Sequence, residues 1–394
     1  MIEKHRLRNL HAIRGWAAFF VVIAHAKYPF WSGGQAYLEK YPKDKWEWYE
    51  YILFGIDMSS SFATLFVIIF FVLSGFFIAR SFTINNYSMA IFYGDRIIRI
   101  YIPYIGSLLI GFMALYLAQY IYPELFMENA INRPYNAELI QAYNDLTFTS
   151  FFSSMIFLPG ESGIFFGMNN PYWSLYFEGL FYLSIPFILL YGKKYMFFVV
   201  TLVLFLISFF YAGNWLTIKA FIFSYSIYFA MGVFLFELTN TKNTRYYIIK
   251  NIRKFTNIVL CLSVFLMLIA VLFGLLDLKK YGYFLGMLAT AFLMLLVLYG
   301  RNTKVLLFFK LILINKFSNF LGTISFSLYL VHVPILAVYY TVLAKYTQQF
   351  IFYDRIYWIA VICVIPMGYL SYLIFEKNSL ILLKKYKEKY TDVK

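Results

Sequence analysis

Charge is scarce in this chain. Of its 394 residues only 13% are Asp, Glu, Lys or Arg, and acids are rarer than bases, 19 against 34. A chain that is 62% hydrophobic with so little charge would expose large adhesive patches as a soluble domain. That argues against an ordinary soluble enzyme. No stretch of useful size reads as a soluble domain either, so any activity belongs in or at a membrane. Cysteine is nearly absent. Cys261 and Cys363 sit in different apolar runs, which excludes a disulfide framework or a cysteine metal site and leaves two small core side chains. No Asp-x-Asp is present for a metal-bound nucleotide sugar. No internal repeat supports an inverted two-fold transporter. No Ser–His pairing argues for a covalent enzyme intermediate.

What is abundant is apolar sequence, with 46 Phe and 37 Tyr and a mean hydropathy of +0.69. Runs near the roughly 20 residues needed to span a bilayer recur along the whole chain. They fall at 11–29, 61–80, 100–121, 172–191, 196–212, 219–237, 256–276, 281–299, 318–342 and 356–375. The expected fold is an all-α membrane protein of about ten transmembrane helices, one integral-membrane domain over 1–394 with no fused extracytoplasmic domain. An even number of spans puts both termini on one side. The segments on that side hold 23 of the 34 Lys and Arg, from Lys4 to Lys394, and those on the other hold 10. The positive-inside rule then makes both termini cytoplasmic. The net charge of +15 follows from this bias and from attraction to anionic lipid. It is spread over several inner segments, a poor pattern for nucleic acid.

The N-terminus imitates a signal peptide, with Lys4, Arg6 and Arg8, an apolar stretch, then Ala24-His25-Ala26, but Arg14 falls inside the would-be apolar core. Outside, 30–60 and 122–171 read as solvated segments. Within the second, "FTSFFSSMIFLPG" (148–160) is apolar and too short to span, so a re-entrant or interfacial segment is expected before the fourth helix.

Ionisable groups inside hydrocarbon are costly and mark function. Arg14 and His25 are eleven residues apart in the first span, about three helical turns, so they share a face about 16 Å apart along the axis. Counted from the span ends at 1.5 Å per residue, His25 lies roughly 9 Å below the outer boundary, and Glu178 of the fourth span lies as deep. His332 of the ninth span lies roughly 21 Å up from the inner boundary, again in the outer half. Asn170 and Trp173 sit just above and, with His332, are the expected contacts for the acceptor substrate. At the cytoplasmic side, Arg96 and Arg99 in "FYGDRIIRIYIPY" share a helix face, and Arg14 approaches that level. Boundary arginines also serve topology and snorkelling, yet a guanidinium forks onto phosphate oxygens, so three of them suit a polyphosphate. Ser74-Gly75 suits close helix packing better than nucleophilic attack. Together these groups suggest a donor anchored by its phosphates on the cytoplasmic side. His25 would serve as general base on an acceptor hydroxyl arriving from outside, oriented by Glu178 or His332.

Five stretches in order resemble the acyltransferase-3 family, bacterial membrane O-acyltransferases of surface glycans and some small molecules. "LRNLHAIRGWAAFFVVIAHA" resembles its first helix, with Arg14 and His25 in place. "FFVLSGFFI" resembles its F-x-x-SGF stretch, "RIIRIYIPY" its R-x-x-R motif at Arg96 and Arg99, and "YWSLYFEGLFYLSIP" its signature with Trp173 and Glu178. "LGTISFSLYLVHVPIL" resembles its penultimate helix with His332. The chain departs from the pattern in having His11 where the family usually has Asp, and Asn378 where it often has Pro.

The resemblance implies acyl-CoA, commonly acetyl-CoA, as a cytoplasmic donor substrate, with no permanently bound cofactor and no metal. It implies a glycan or lipid-linked saccharide hydroxyl as acceptor and a place in the bacterial cytoplasmic membrane. With no fused esterase-like domain, the chain works alone or hands its acyl group to a separate periplasmic transferase. Two rivals remain: a polysaccharide exporter or flippase, whose arginines would bind a lipid pyrophosphate, and a polyprenyl-phosphate sugar transferase.

Overall fold

A backbone in hydrocarbon must satisfy its own N–H and C=O groups, so long apolar runs become helix. The computed structural model describes residues 4–85, 87–127, 133–210 and 217–391, and among them are helices and no strand. The end of the run expected at 196–212, residues 128–132 of the 122–171 segment and Lys394 lie outside the described residues.

A helix stands at each expected span. They are α1 (Lys4–Phe30), α2 (Ala63–Asn85), α3 (Met89–Ile121), α4 (Trp173–Tyr191) and α5 (Met196–Ile207). Then come α6 (Ile218–Asn240, with a π turn at Phe221–Tyr225), α7 (Thr256–Leu275), α8 (Lys279–Tyr299), α9 (Lys316–Thr347) and α10 (Tyr357–Ser371). A second π turn, Tyr372–Glu376, leads from α10 into α11 (Lys377–Thr391). Eight of these stretches are long and apolar enough to cross a membrane; α1 and α5 are not among the eight. The polar content of α1, 27 residues with Arg14, Lys27 and two interior histidines, lowers its hydropathy. α5 is apolar apart from Thr201 but has only 12 residues. The segment 148–160 forms an eight-residue helix, Phe148–Met155, with exposed Phe148 and Phe152. Of the eight, α9 is the most enclosed and α7 the least, turning Ile258, Phe265 and Leu268 outward.

The chain divides into two compact units. The first comprises Met1–Ala18, Thr64–Gly94 and Phe177–Thr323. In it α2 and α6 cross backbone to backbone. A Cβ on Gly75 would lie 2.0 Å from the Phe229 carbonyl, and one on Gly232 2.0 Å from that of Val72. The same close approach joins α1 to α9, where a Cβ on Gly15 would meet the Ser318 carbonyl at 2.4 Å. Small residues at such crossings let helices meet without a side-chain layer between them.

The second unit comprises Phe19–Ala63, Asp95–Tyr176 and Ile324–Lys394. A buried charge clasp fastens its Tyr/Trp-rich segment 30–60. The Asp57 carboxylate takes Arg355 Nε at 2.8 Å and the Tyr357 hydroxyl. Lys27 Nζ donates to the Asp57 carbonyl and to Ser60 Oγ at 2.6 Å. Enclosed charges persist only when paired and hydrogen-bonded in this way.

Candidate active site

The second unit brings two of the singled-out residues into contact. His25 on α1 and His332 on α9 meet with Nδ1 of His25 2.9 Å from Nε2 of His332, their ring centroids 5.0 Å apart. His332 is fully buried, and its Nδ1 faces the Tyr329 carbonyl at 2.7 Å and that of Leu328 at 3.2 Å. A carbonyl only accepts, so His332 Nδ1 carries the proton. In the neutral ring Nε2 is then an acceptor, and the proton between the two rings belongs to His25 Nδ1. His25 Nε2 is left with its lone pair, the arrangement a general base requires.

Local sequence explains why the turn carrying His332 is held firmly. Pro334 has no N–H, so the Leu330 carbonyl four residues earlier loses its helical donor. Asn169 Nδ2 replaces it at 2.6 Å and also donates to the Tyr172 hydroxyl at 2.7 Å. The Tyr329 hydroxyl donates to the Pro171 carbonyl at 2.7 Å and lies 2.6 Å from Ser174 Oγ. The stretch "NNPYWS" thus braces α9 in the turn that leads into the histidine. Of its residues the depth argument selects Asn170 and Trp173. Asn170 instead donates to Glu138, which also bonds the Tyr28 hydroxyl. Burial pushes the Glu138 carboxyl up, against the pull of those two hydrogen bonds. Trp173 opens α4 half-buried. Asn169 and Tyr329 are not singled out by the sequence, although Pro334, two residues past His332, signals a carbonyl in need of a donor.

Arg96 and Arg99 lie on α3 in the same unit. Arg96 is buried, its Nη2 2.5 Å from an oxygen of Asp95, and the second Asp95 oxygen meets Lys387 of α11. Arg99 is half-buried one turn on. Asp95 and Lys387 are absent from the sequence-derived site.

In the first unit the Glu178 carboxylate accepts from Ser74 Oγ at 3.0 Å and from the Tyr182 hydroxyl one turn along α4. Glu178 is thus held by hydroxyls, and the group on His25 Nδ1 is His332. Ser74-Gly75 serves packing through Gly75, and Ser74 donates to Glu178. Arg14 is half-buried on α1. Among the described residues no group of three His, Cys, Asp or Glu is placed to hold a metal ion.

A family model of the acyltransferase domain, that of acyltransferase-3, matches residues 7–376. Searches of curated proteins and of solved structures return no significant match.

Proposed function

The chain belongs to the acyltransferase-3 family, and from that premise we propose that it transfers an acyl group, acetyl in the first instance, from cytoplasmic acyl-CoA to a hydroxyl of a surface or lipid-linked glycan. Membrane acyltransferase activity is what the family supplies; donor, acceptor and direction are the content of the proposal. The acceptor hydroxyl gives its proton to His25 Nε2 as its oxygen attacks the thioester carbonyl. The tetrahedral intermediate collapses, the C–S bond breaks, and the leaving sulfur takes the proton from the imidazolium. His332 holds His25 Nδ1–H throughout. The observation that carries this reading is the His25–His332 hydrogen bond, backed by the Tyr329 carbonyl, which points a basic nitrogen away from the pair. Arg14, Arg96 and Arg99 contact the donor phosphates. Asn170 and Trp173 contact the acceptor, and Glu178, fixed by Ser74 and Tyr182, is the second candidate catalytic group.

The reading includes ten spans in the bacterial cytoplasmic membrane, both termini cytoplasmic, 122–171 outside and the helix Phe148–Met155 re-entrant or interfacial. A separate periplasmic transferase is the candidate receiver wherever the acyl group is passed on.

The test is thiol release from acetyl-CoA by the purified protein in liposomes, with mass spectrometry of the surface glycan from a deletion strain to locate the ester. General-base help is typically worth about 10²–10⁴-fold in rate. His25→Ala therefore lowers turnover per folded molecule by that order while CoA binding persists, and His25→Gln does not rescue it. Near-normal turnover in His25→Gln removes His25 from the mechanism. Absence of CoA release by the wild type favours an exporter.

A further inference from the structure

Glu138 has no part in the mechanism above, yet it is tied to both elements that carry the histidine pair. It stands on the helix Pro134–Asn144. On one side the Tyr28 hydroxyl lies beside its carboxylate. Tyr28 is three residues past His25 on the same face of α1, about 4.5 Å further along the axis. On the other side Asn170 donates to Glu138 Oε1, and the neighbouring Asn169 holds the Leu330 carbonyl two residues before His332. The Tyr28 ring packs edge-on against buried Tyr135 at 5.3 Å, and Tyr135 lies one turn before Glu138 on its helix.

Two properties of this carboxylate call for a reason. First, among the described residues no Lys, Arg or His forms an ion pair with it. Arg133, five residues earlier, gives its guanidinium to the carbonyls of Tyr28 at 3.1 Å, of Pro29 at 3.0 Å and of Phe350. The partners of Glu138 are two neutral donors, whereas an ionised carboxylate has about four acceptor sites. Second, it is not shut away: Glu138 and His25 are half-buried, and Tyr28 is 49% exposed. An accessible base, an exposed aromatic ring and an unneutralised acid with acceptor sites to spare therefore adjoin in the second unit. Sugar hydroxyls donate to a carboxylate in charge-assisted bonds, and a sugar ring lays its C–H face on an aromatic ring. A carboxylate or phosphate on the incoming group would meet like charge.

We propose that Glu138 and Tyr28 form the subsite for the sugar that presents its hydroxyl to His25, and that this sugar is neutral. Glu138 accepts from hydroxyls beside the reacting one, and Tyr28 carries the ring. Asn170 is a positioning residue that holds the carboxylate. This rests on the acyl-transfer reading above and adds which acceptors are taken.

The experiment follows CoA release from acetyl-CoA by the purified protein, with p-nitrophenyl β-glucuronide and its methyl ester as acceptors. The two carry the same ring hydroxyls and differ in charge. Wild type prefers the neutral ester by about tenfold in kcat/KM, the scale of like charges a few ångströms apart at a partly exposed site. Glu138→Gln raises the KM for the ester roughly tenfold, as for loss of a charge-assisted contact. It leaves the donor KM unchanged and narrows the preference. Glu138→Asp keeps the charge, so it keeps the preference while its KM for the ester rises, and it decides the matter where the Gln protein does not fold. Glu124→Gln, exposed in the same segment, behaves as wild type. Equal use of both acceptors by the wild type overturns the proposal, and so does an Asp variant that takes both alike. A Gln variant that loses kcat on both acceptors equally, with KM unchanged, marks a structural carboxylate and also overturns it. A wild type that releases no CoA even with glycan from the deletion strain defeats the acyl-transfer reading itself, whereas one that acylates that glycan but not the ester defeats only this inference.

Discussion

An imidazole whose Nδ1 faces a carbonyl has one neutral form, and in that form its Nε2 accepts. On the proposed mechanism His332 acts through His25. The carbonyls of Tyr329 and Leu328 fix its proton, and its Nε2 fixes the proton of His25. A replacement that still accepts near that point retains part of the effect, and one that cannot accept loses the tautomer. His332→Gln is therefore expected to keep more turnover than His332→Leu. The Leu variant should lose about 10–100-fold, the scale on which outer partners of an active histidine act. The loss belongs in kcat with donor KM unchanged. Equal loss in both variants, tracking folding yield, would show that His332 only fills space. His25, Glu178 and His332 are legible in the sequence because an ionisable group in hydrocarbon stands out and helical rise gives its depth. Shared depth leaves Glu178 and His332 as alternative partners of His25, and it cannot choose between them, because depth along an axis says nothing of which neighbouring helix a side chain faces. Glu178 shares the depth of His25 by counting, yet its carboxylate accepts from Ser74 and Tyr182.

Elements are legible where a run of apolar residues has only one solution. Among the described residues each of the ten expected spans meets a helix, and their ends drift by several residues because caps and turns, not hydropathy, set them. What hydropathy does not carry is the wiring between elements. Asn169 is a polar residue in an irregular segment, and it is Asn170 beside it that the depth argument selects. The reason Asn169 matters lies 165 positions later, in the missing N–H of Pro334. The two residues should be energetically coupled. Asn169→Leu leaves the buried Leu330 carbonyl without its main donor, a loss of about 1–3 kcal/mol. Pro334→Ala restores a helical N–H to that carbonyl. In the Pro334→Ala background, Asn169→Leu should thus cost less, with a coupling of about 1–2 kcal/mol in a double-mutant cycle followed by thermal unfolding in detergent. Strict additivity of the two changes would remove Pro334 from the explanation.

At the scale of the whole molecule, charge decides orientation. The Lys and Arg of the chain divide 23 to 10 between alternate segments, and the translocation machinery retains basic segments in the cytoplasm. The helix Lys242–Lys254 is the densest of them, with Lys242, Arg245, Lys250, Arg253 and Lys254, and it exposes Tyr246 and Tyr247. The segment 30–60 belongs to the opposite set, with Tyr49 exposed on the helix Trp48–Ser59. With Cys261 and Cys363 replaced, a single cysteine at position 246 should react with a membrane-impermeant maleimide only after permeabilisation. One at position 49 should react in intact cells. The reversed pattern would place Arg96 and Arg99 on the outer side, out of reach of a cytoplasmic acyl-CoA, and would undo the donor assignment. The depth argument for His25 would go with it, because reversal would put His25 in the inner half of the bilayer. The labelling pattern therefore tests orientation and donor access together, and it does so without knowledge of the acceptor.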